Sequence, residues 1–344
     1  MVKDFPTAGS FALVGLVIQN TAVAILLNLS FRPEATPYGK TTVVFVAESI
    51  KLFICSLIVV FRSKHELLHS LVSIKNQGIL LVPSLLYVVQ NNLLLYGAER
   101  LPPVKYIVCT QTKILSTAVL SRIFLGTRLS RVQQASLVVL SLGVVLVQQA
   151  GNDNTSPHIV GRHKLADEML GIFALLTASI TSGAAAVVLE KVYKQCSAAG
   201  DETSLDSIWT RNIQLGLISL PFAFLAILMR DWDFIFEGSI FTGYDIVVWS
   251  IVAFQAAGGI IIALVMKYAN NILKCLAVAI SICCCAIYSL LSKEIVLSST
   301  LLLGILTVVF AVISYSIGAL NSNSKLSSEL KQGKKQGKSD DDVV

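Results

Sequence analysis

Two lysines stand where a bilayer disfavours charge. Lys113 lies inside the apolar run 104–125, well away from either end, and Lys274 opens a second run just after the stretch NNIL. A charge at the bilayer centre costs on the order of 2.5–3.5 kcal/mol on insertion scales, so such residues face a cavity or a partner. Lysine is a compact, strongly hydrated point charge, suited to phosphate. Alone, Lys274 reads as a snorkelling side chain. Its counterpart changes that reading: Lys105-Tyr106 precedes Lys113 much as Lys267-Tyr268 precedes Lys274. Two lysines from opposite halves of the chain could grip one phosphate group from two sides.

Other polar residues fall in register with them. Tyr106, Thr110, Lys113 and Thr117 are spaced i, i+4, i+7 and i+11, one face of a helix. In the preceding run, Tyr87, Gln90 and Asn91 align with Leu94. Two polar stripes on consecutive helices point to a cavity for something polar and anionic. Glu48 is the obvious membrane carboxylate for Lys113, but Lys51, three residues along the same helix, is its nearer partner. Ser182 and Gly183 sit among Ser179, Thr181 and Ala184 to Ala186. So small a surface suits close helix packing or the approach of a ligand to the backbone. Asn212 shares a face with Gly216 and Ser219, and Gly258-Gly259 permits a bend or a tight crossing.

These residues need a membrane scaffold, and the composition supplies one. The 344 residues are 54% hydrophobic and 14% charged, against about 25% charged in a soluble domain, and mean hydropathy is +0.73. A spanning helix needs about 20 apolar residues. Runs of that kind cover 10–31, 42–62, 79–98, 104–125, 133–150, 168–190, 210–230, 243–266, 272–291 and 298–320. The expected fold is an all-α membrane protein of ten transmembrane helices. No cleavable signal is expected, since Lys3 and Asp4 lead straight into the run from Phe11. Lys and Arg outside the spans are more numerous on the side of the termini, with the lysine-rich tail adding most of the margin. The positive-inside rule then puts both termini in the cytosol. The net charge of +6 is read as setting orientation, not as a nucleic-acid surface. The sequon Asn154-Thr155-Ser156 falls in a loop that this topology makes luminal. The seven cysteines show no CxxC pairing and no histidine partner, so neither a metal site nor a disulfide framework is expected, and no cofactor is implied.

The chain divides at its most polar internal stretch. Residues 1–150 form a first five-helix unit, 151–167 a central luminal loop, 168–320 a second five-helix unit, and 321–344 a disordered cytosolic tail. Five spans per unit start the two units on opposite sides of the membrane, the inverted-repeat plan of many transporters.

Longer segments carry a resemblance. VPSLLYVVQNNLLLYGA (82–98), KYIVCTQTKILSTAVLS (105–121), SGAAAVVLEKV (182–192), IWTRNIQLG (208–216) and QAAGGIIIALVMKYANNILK (255–274) resemble the nucleotide-sugar transporters of the Golgi. The branch is the one with the CMP-sialic acid, UDP-galactose and UDP-N-acetylglucosamine carriers. The resemblance implies the drug/metabolite transporter-like fold, a central cavity, and a nucleotide site at Tyr87, Gln90, Asn91, Tyr106, Lys113, Ser182, Gly183, Asn212 and Lys274. The lysines would hold phosphates; the tyrosines and amides would hold base and ribose. Departures stand at Thr110, where the family has tyrosine, at Ala184 to Leu189, and at Cys275-Leu276, where it has Gly-Phe. Gly216 and Ser281 follow the UDP-sugar members.

The expected function is import of a cytosolic UDP-sugar, UDP-galactose or UDP-N-acetylglucosamine, into the Golgi lumen in exchange for the nucleoside monophosphate UMP. The ER is the other compartment. Within the family the alternative is a CMP-sialic acid/CMP exchanger; outside it, a carrier of another phosphorylated metabolite. A homodimer and a complex with glycosyltransferases stay open as assemblies. An enzyme would need paired carboxylates or a metal, and the one convincing membrane acid, Glu48, sits beside Lys51.

Overall fold

The structure, a computed structural model, describes residues 5–30, 37–62, 74–101, 103–127, 129–152, 165–198, 205–231, 241–293 and 295–319. The described residues form helices and connecting turns, with no strand. In chain order the helices are α1 (Phe5–Ser30), α2 (Lys40–Arg62), α3 (Ile74–Arg100), α4 (Pro103–Leu125), α5 (Arg131–Asn152), α6 (Leu165–Ala198), α7 (Leu205–Arg230), α8 (Ile246–Tyr268), α9 (Asn271–Leu291) and α10 (Ser299–Ala319). Asn154 and the tail 321–344 lie outside the described residues.

Eight of these helices, α1, α2 and α5 to α10, are long and apolar enough to cross a membrane. Their outer faces bear large apolar side chains in the open, such as Phe61 at 82% exposure and Ile246 at 80%, as lipid contact requires. The two helices outside that set are α3, whose apolar stretch among the described residues is Leu80–Leu94, and α4, where the run from Thr110 to Lys113 lowers the hydropathy. On α4 the residues that suggest a site are the ones that make the helix less apolar.

Local chemistry sets several helix ends. Asp245 caps α8 by accepting from the Val248 N–H at 2.8 Å, and Asn270 caps α9 by accepting from the Leu273 N–H at 2.8 Å. Pro83 in α3 and Pro221 in α7 each remove one backbone donor. Helix α6 overruns the span 168–190 at both ends. It begins at Leu165 with Asp167 and Glu168 in its first turn, where carboxylates favour a helix N-terminus. Apolar length marks the membrane, not the helix.

The packing follows a pattern. Helix α1 lies against α8 and α9, α6 lies against α3 and α4, and α2 lies against α7. Helices α5 and α10 meet at two glycines. A Cβ on Gly143 would sit 2.9 Å from the Val308 backbone nitrogen, and one on Gly304 would sit 2.8 Å from that of Val147, the small-residue crossing by which membrane helices approach closely. The α8 glycines work likewise: Gly258 receives the side chain of Gln19, and Gly259 that of Lys51. The largest apolar cluster gathers α4, α5, α9 and α10 around Leu137, Leu140, Val144, Leu276 and Leu301. A second joins α3, α6, α7 and α8 through Leu80, Leu189, Ile208 and Met266.

Because the Gly304 neighbour is backbone, which cannot swing aside, Gly304→Val should destabilise the detergent-purified protein by about 1–3 kcal/mol through overpacking. A thermal melt of purified protein reads this; a melt unchanged from wild type would show that α5 and α10 separate without cost.

Candidate functional site

Helix α4 carries its functional face at Gln111, Lys113, Ile114 and Thr117. Opposite stand Val144 and Gln148 of α5, Ser182 and Ala186 of α6, and the first three turns of α9. Between them lies a cavity of about 160 Å³, whose α9 wall includes Asn271, Lys274, Cys275 and Val278. Each helix has a reason to be there. Helices α4 and α6 are stapled by reciprocal serine contacts: Ser116 Oγ donates to the Ser179 carbonyl at 2.7 Å, and Ser179 Oγ donates to the Cys109 carbonyl at 3.3 Å. Gly183 is the crossing point, where a Cβ would come within 3.1 Å of the Thr117 nitrogen. Helix α6 is tied to α9 by Glu190, whose Oε2 accepts from the Asn271 N–H at 3.0 Å.

Lys113 and Lys274 enter this cavity from α4 and α9. The Lys113 side chain is exposed to it and Lys274 is half-buried. They lie within electrostatic range of one another. Among the described residues neither side chain takes an ion pair or a hydrogen bond. The carboxylates expected inside the spans are committed elsewhere. Glu48 accepts from Lys51 at 2.6 Å and from Ser219 Oγ at 2.9 Å, the pairing expected from the spacing. Glu190, which is in range of Lys274, already holds Lys194 at 2.5 Å as well as the Asn271 N–H. The cavity therefore presents two positive charges together with neutral polar groups. Its lining includes a carboxamide pair, Gln111 Nε2 donating to Gln148 Oε1 at 3.2 Å, and Thr117 and Asn271. An anion with polar substituents matches that lining.

The structure brings Lys113, Lys274 and Ser182 together on this wall. It places the other expected residues around it, outside the lining. Tyr87 comes within electrostatic range of Cys275. Gln90 is half-buried, with its Oε1 shielded from solvent and without a hydrogen-bond partner. The Asn91 side chain lies outside the described residues. Tyr106 is half-buried near the start of α4. Thr110 turns its hydroxyl back to the Ile107 carbonyl at 2.9 Å, Asn212 donates to the Ile208 carbonyl at 3.0 Å, and Ser281 donates to the Val278 carbonyl at 2.7 Å. Those three polar groups satisfy their own helices in this state. Gln111, Gln148, Asn271 and Cys275 were not singled out from sequence. The signal for two of them was present: Gln111, Ile114 and Thr117 recur every three residues on one face of α4, and Asn271 lies three before Lys274. Gln148 had none, because a glutamine near a helix end reads as an interfacial residue.

No metal-binding group of histidine, cysteine or carboxylate side chains occurs among the described residues, and the six described cysteines are free thiols. The side chain of Cys196 is not described.

Comparison with known proteins bears on what fills the cavity. A crystal structure superposes with a TM-score of 0.64 over 90% of this chain and 97% of its own, at 11% identity, a likeness of fold alone. The UDP-N-acetylglucosamine/UDP-N-acetylgalactosamine transporter nstp-4 of Caenorhabditis elegans is 36% identical over 320 residues, 88% of this chain and 92% of that protein. The UDP-N-acetylglucosamine transporter of Mus musculus is 34% identical over 314 residues, 87% and 92% of the two chains. The UDP-galactose translocator of Mus musculus is 32% identical over 315 residues, 89% and 77%. The family model for nucleotide-sugar transporters matches residues 7–316. With that match running from α1 to α10, across every helix that walls the cavity, the chain belongs to the nucleotide-sugar transporter family.

Proposed function

We propose that this protein is an antiporter that carries a cytosolic UDP-sugar, UDP-N-acetylglucosamine or UDP-galactose, into the Golgi lumen in exchange for UMP. The observation that carries the reading is the entry of two lysines, Lys113 and Lys274, into one cavity from two helices, with no ion pair to either among the described residues. The choice of UDP-sugar rests on the relatives named for it. Both ligands suit the charge. A UDP-sugar carries two negative charges on its diphosphate, and UMP carries close to two above its second phosphate pKa of about 6. Either one neutralises the two ammonium groups.

The fold in this reading is ten spans in two inverted five-helix repeats, with both termini cytosolic. The packing supports it: replacing each helix by the one five places along turns the contact of α1 with α8 and α9 into that of α6 with α3 and α4, and leaves α2 against α7. The Gly143–Gly304 crossing of α5 and α10 also maps onto itself. Lys113 and Lys274, on α4 and α9, are then equivalent positions, and alternating access swings the repeats about the site between them. An empty cavity leaves two charges uncompensated in a low-dielectric wall, so reorientation without an anion is disfavoured and exchange is favoured over net flux.

Liposomes reconstituted with the protein and preloaded with UMP or CMP test this directly. Uptake of UDP-N-acetylglucosamine or UDP-galactose should require UMP inside and fall to background in Lys113→Ala; equal uptake into empty vesicles would sink the antiport reading. The lumenal charge can be titrated too. With UMP inside, lowering the internal pH from 7.5 to 5.5 removes one of its charges and should slow exchange several-fold, whereas a flat profile would mean that the second phosphate charge is not sensed. Because the lysines lose no protein partner when removed, Lys113→Gln and Lys274→Gln should melt no lower than wild type while UMP affinity drops at least about tenfold; a clear fall in melting temperature would mark them as structural.

A further inference from the structure

Helix α9 begins with two adjacent asparagines of opposite fate. Asn270 is used by the fold: its side chain caps the helix on the Leu273 N–H. Asn271 is not. It is 0% exposed, and neither its Nδ2 nor its Oδ1 has a hydrogen-bond partner. Native proteins pair nearly all buried side-chain polar atoms, and one left with neither donor nor acceptor satisfied calls for a reason. Water cannot supply the missing bonds, because the residue has no exposed surface. The backbone at this residue is held by a dedicated contact, the Asn271 N–H to Glu190, itself 1% exposed, so the fold fixes the position while the carboxamide takes no part.

The idle group is on the cavity wall. Asn271 lines the same cavity as Lys113 and Lys274, one helical turn from Lys274 on the same face of α9. We infer that the Asn271 carboxamide is a ligand-binding group, which hydrogen-bonds the nucleoside monophosphate portion common to UMP and a UDP-sugar, beside the phosphate held at Lys274. A carboxamide suits this place because it donates and accepts at once. It can meet a phosphate oxygen with Nδ2 and a ribose hydroxyl with Oδ1, where a third cation would only add repulsion between the lysines. Since the group is closed to solvent in this structure, the wall at the start of α9 must open by a side-chain shift to admit the ligand, and binding then replaces an unsatisfied amide by a satisfied one. Glu190 acts through it as a positioning residue, holding the first turn of α9 so that Asn271 and Lys274 present one face.

This inference rests on the nucleotide reading of the cavity, and the test separates the two. UMP binding is measured by calorimetry on detergent-purified wild type, Asn271→Leu and Asn271→Ser, with thermal melts of each. Leucine is close in volume and lacks the polar atoms. It should melt at or above the wild-type temperature, since no protein hydrogen bond is lost, yet bind UMP about 10- to 100-fold more weakly; serine, with a donor and acceptor on a shorter arm, should recover part of the affinity. Unchanged UMP affinity in Asn271→Leu overturns the inference and leaves the antiport reading standing. A leucine variant that melts markedly lower, or does not fold, also overturns it, by showing that the carboxamide has a structural partner. Absence of UMP binding in the wild type overturns the antiport reading and this inference together.

Discussion

The structure turns on two ammonium groups that nothing in the described protein neutralises. In a medium of low effective dielectric a buried charge is tolerated only with a partner or with access to water. Lys113 and Lys274 keep that access by opening on a cavity, and their mutual repulsion makes the cavity an electrostatic trap for an anion. The surrounding chemistry protects the trap. Two described carboxylates inside or at the edge of the spans are each paired with a lysine of their own helix: Glu48 with Lys51 three residues on, and Glu190 with Lys194 four residues on. The cavity lysines are left for the ligand.

Holding two like charges near one another requires the helices that bear them to be fixed by other forces. Small residues do this. Gly183, Ser116 and Ser179 bring α6 against α4 at backbone distance, and Gly143 and Gly304 do the same for α5 and α10. In lipid there is little hydrophobic drive between helices, so close van der Waals contact and interhelical hydrogen bonds carry the association. The stretch of small residues in α6 left two readings open, close packing or ligand approach. Both apply to neighbouring residues: Gly183 packs on α4, and Ser182, one residue earlier, lines the cavity.

Much of this was legible in the sequence because charge in an apolar run is a strong signal. Lys113, Lys274 and the Glu48–Lys51 pair follow from spacing and hydropathy alone. Helix positions were legible as well; helix ends were not, since α6 continues as helix into polar sequence at both ends. The finer lining was harder. A face of a helix is about 100° wide, and which part of it meets the cavity depends on how the helix is rotated by its neighbours. The stripe Tyr106, Thr110, Lys113, Thr117 is a real face, yet the lining takes only Lys113 and Thr117 from it and adds Gln111 and Ile114, because the serine staples to α6 set the rotation of α4. Thr110 and Asn212 show a second limit. Short polar side chains can satisfy their own backbone, as both do here, and sequence cannot tell that state from one aimed at a ligand.

The two helices that carry the amide and lysine stripes, α3 and α4, both pack against α6, a helix of 34 residues from the other half of the chain. Lys113 on α4 opens on the cavity, Gln90 on α3 is half-buried, and the exposed Asn92 donates to the Val88 carbonyl of its own helix at 2.8 Å. The polar faces of α3 and α4 are therefore set in place by their packing against α6. Coupling follows from that arrangement without any further device. A ligand that draws Lys113 and Lys274 together pulls on α4 and α9; α4 is stapled to α6, and α6 is tied through Glu190 to the first turn of α9. The contacts that let a polar helix reside in lipid are thus the ones that would transmit occupancy of the cavity from one half of the molecule to the other.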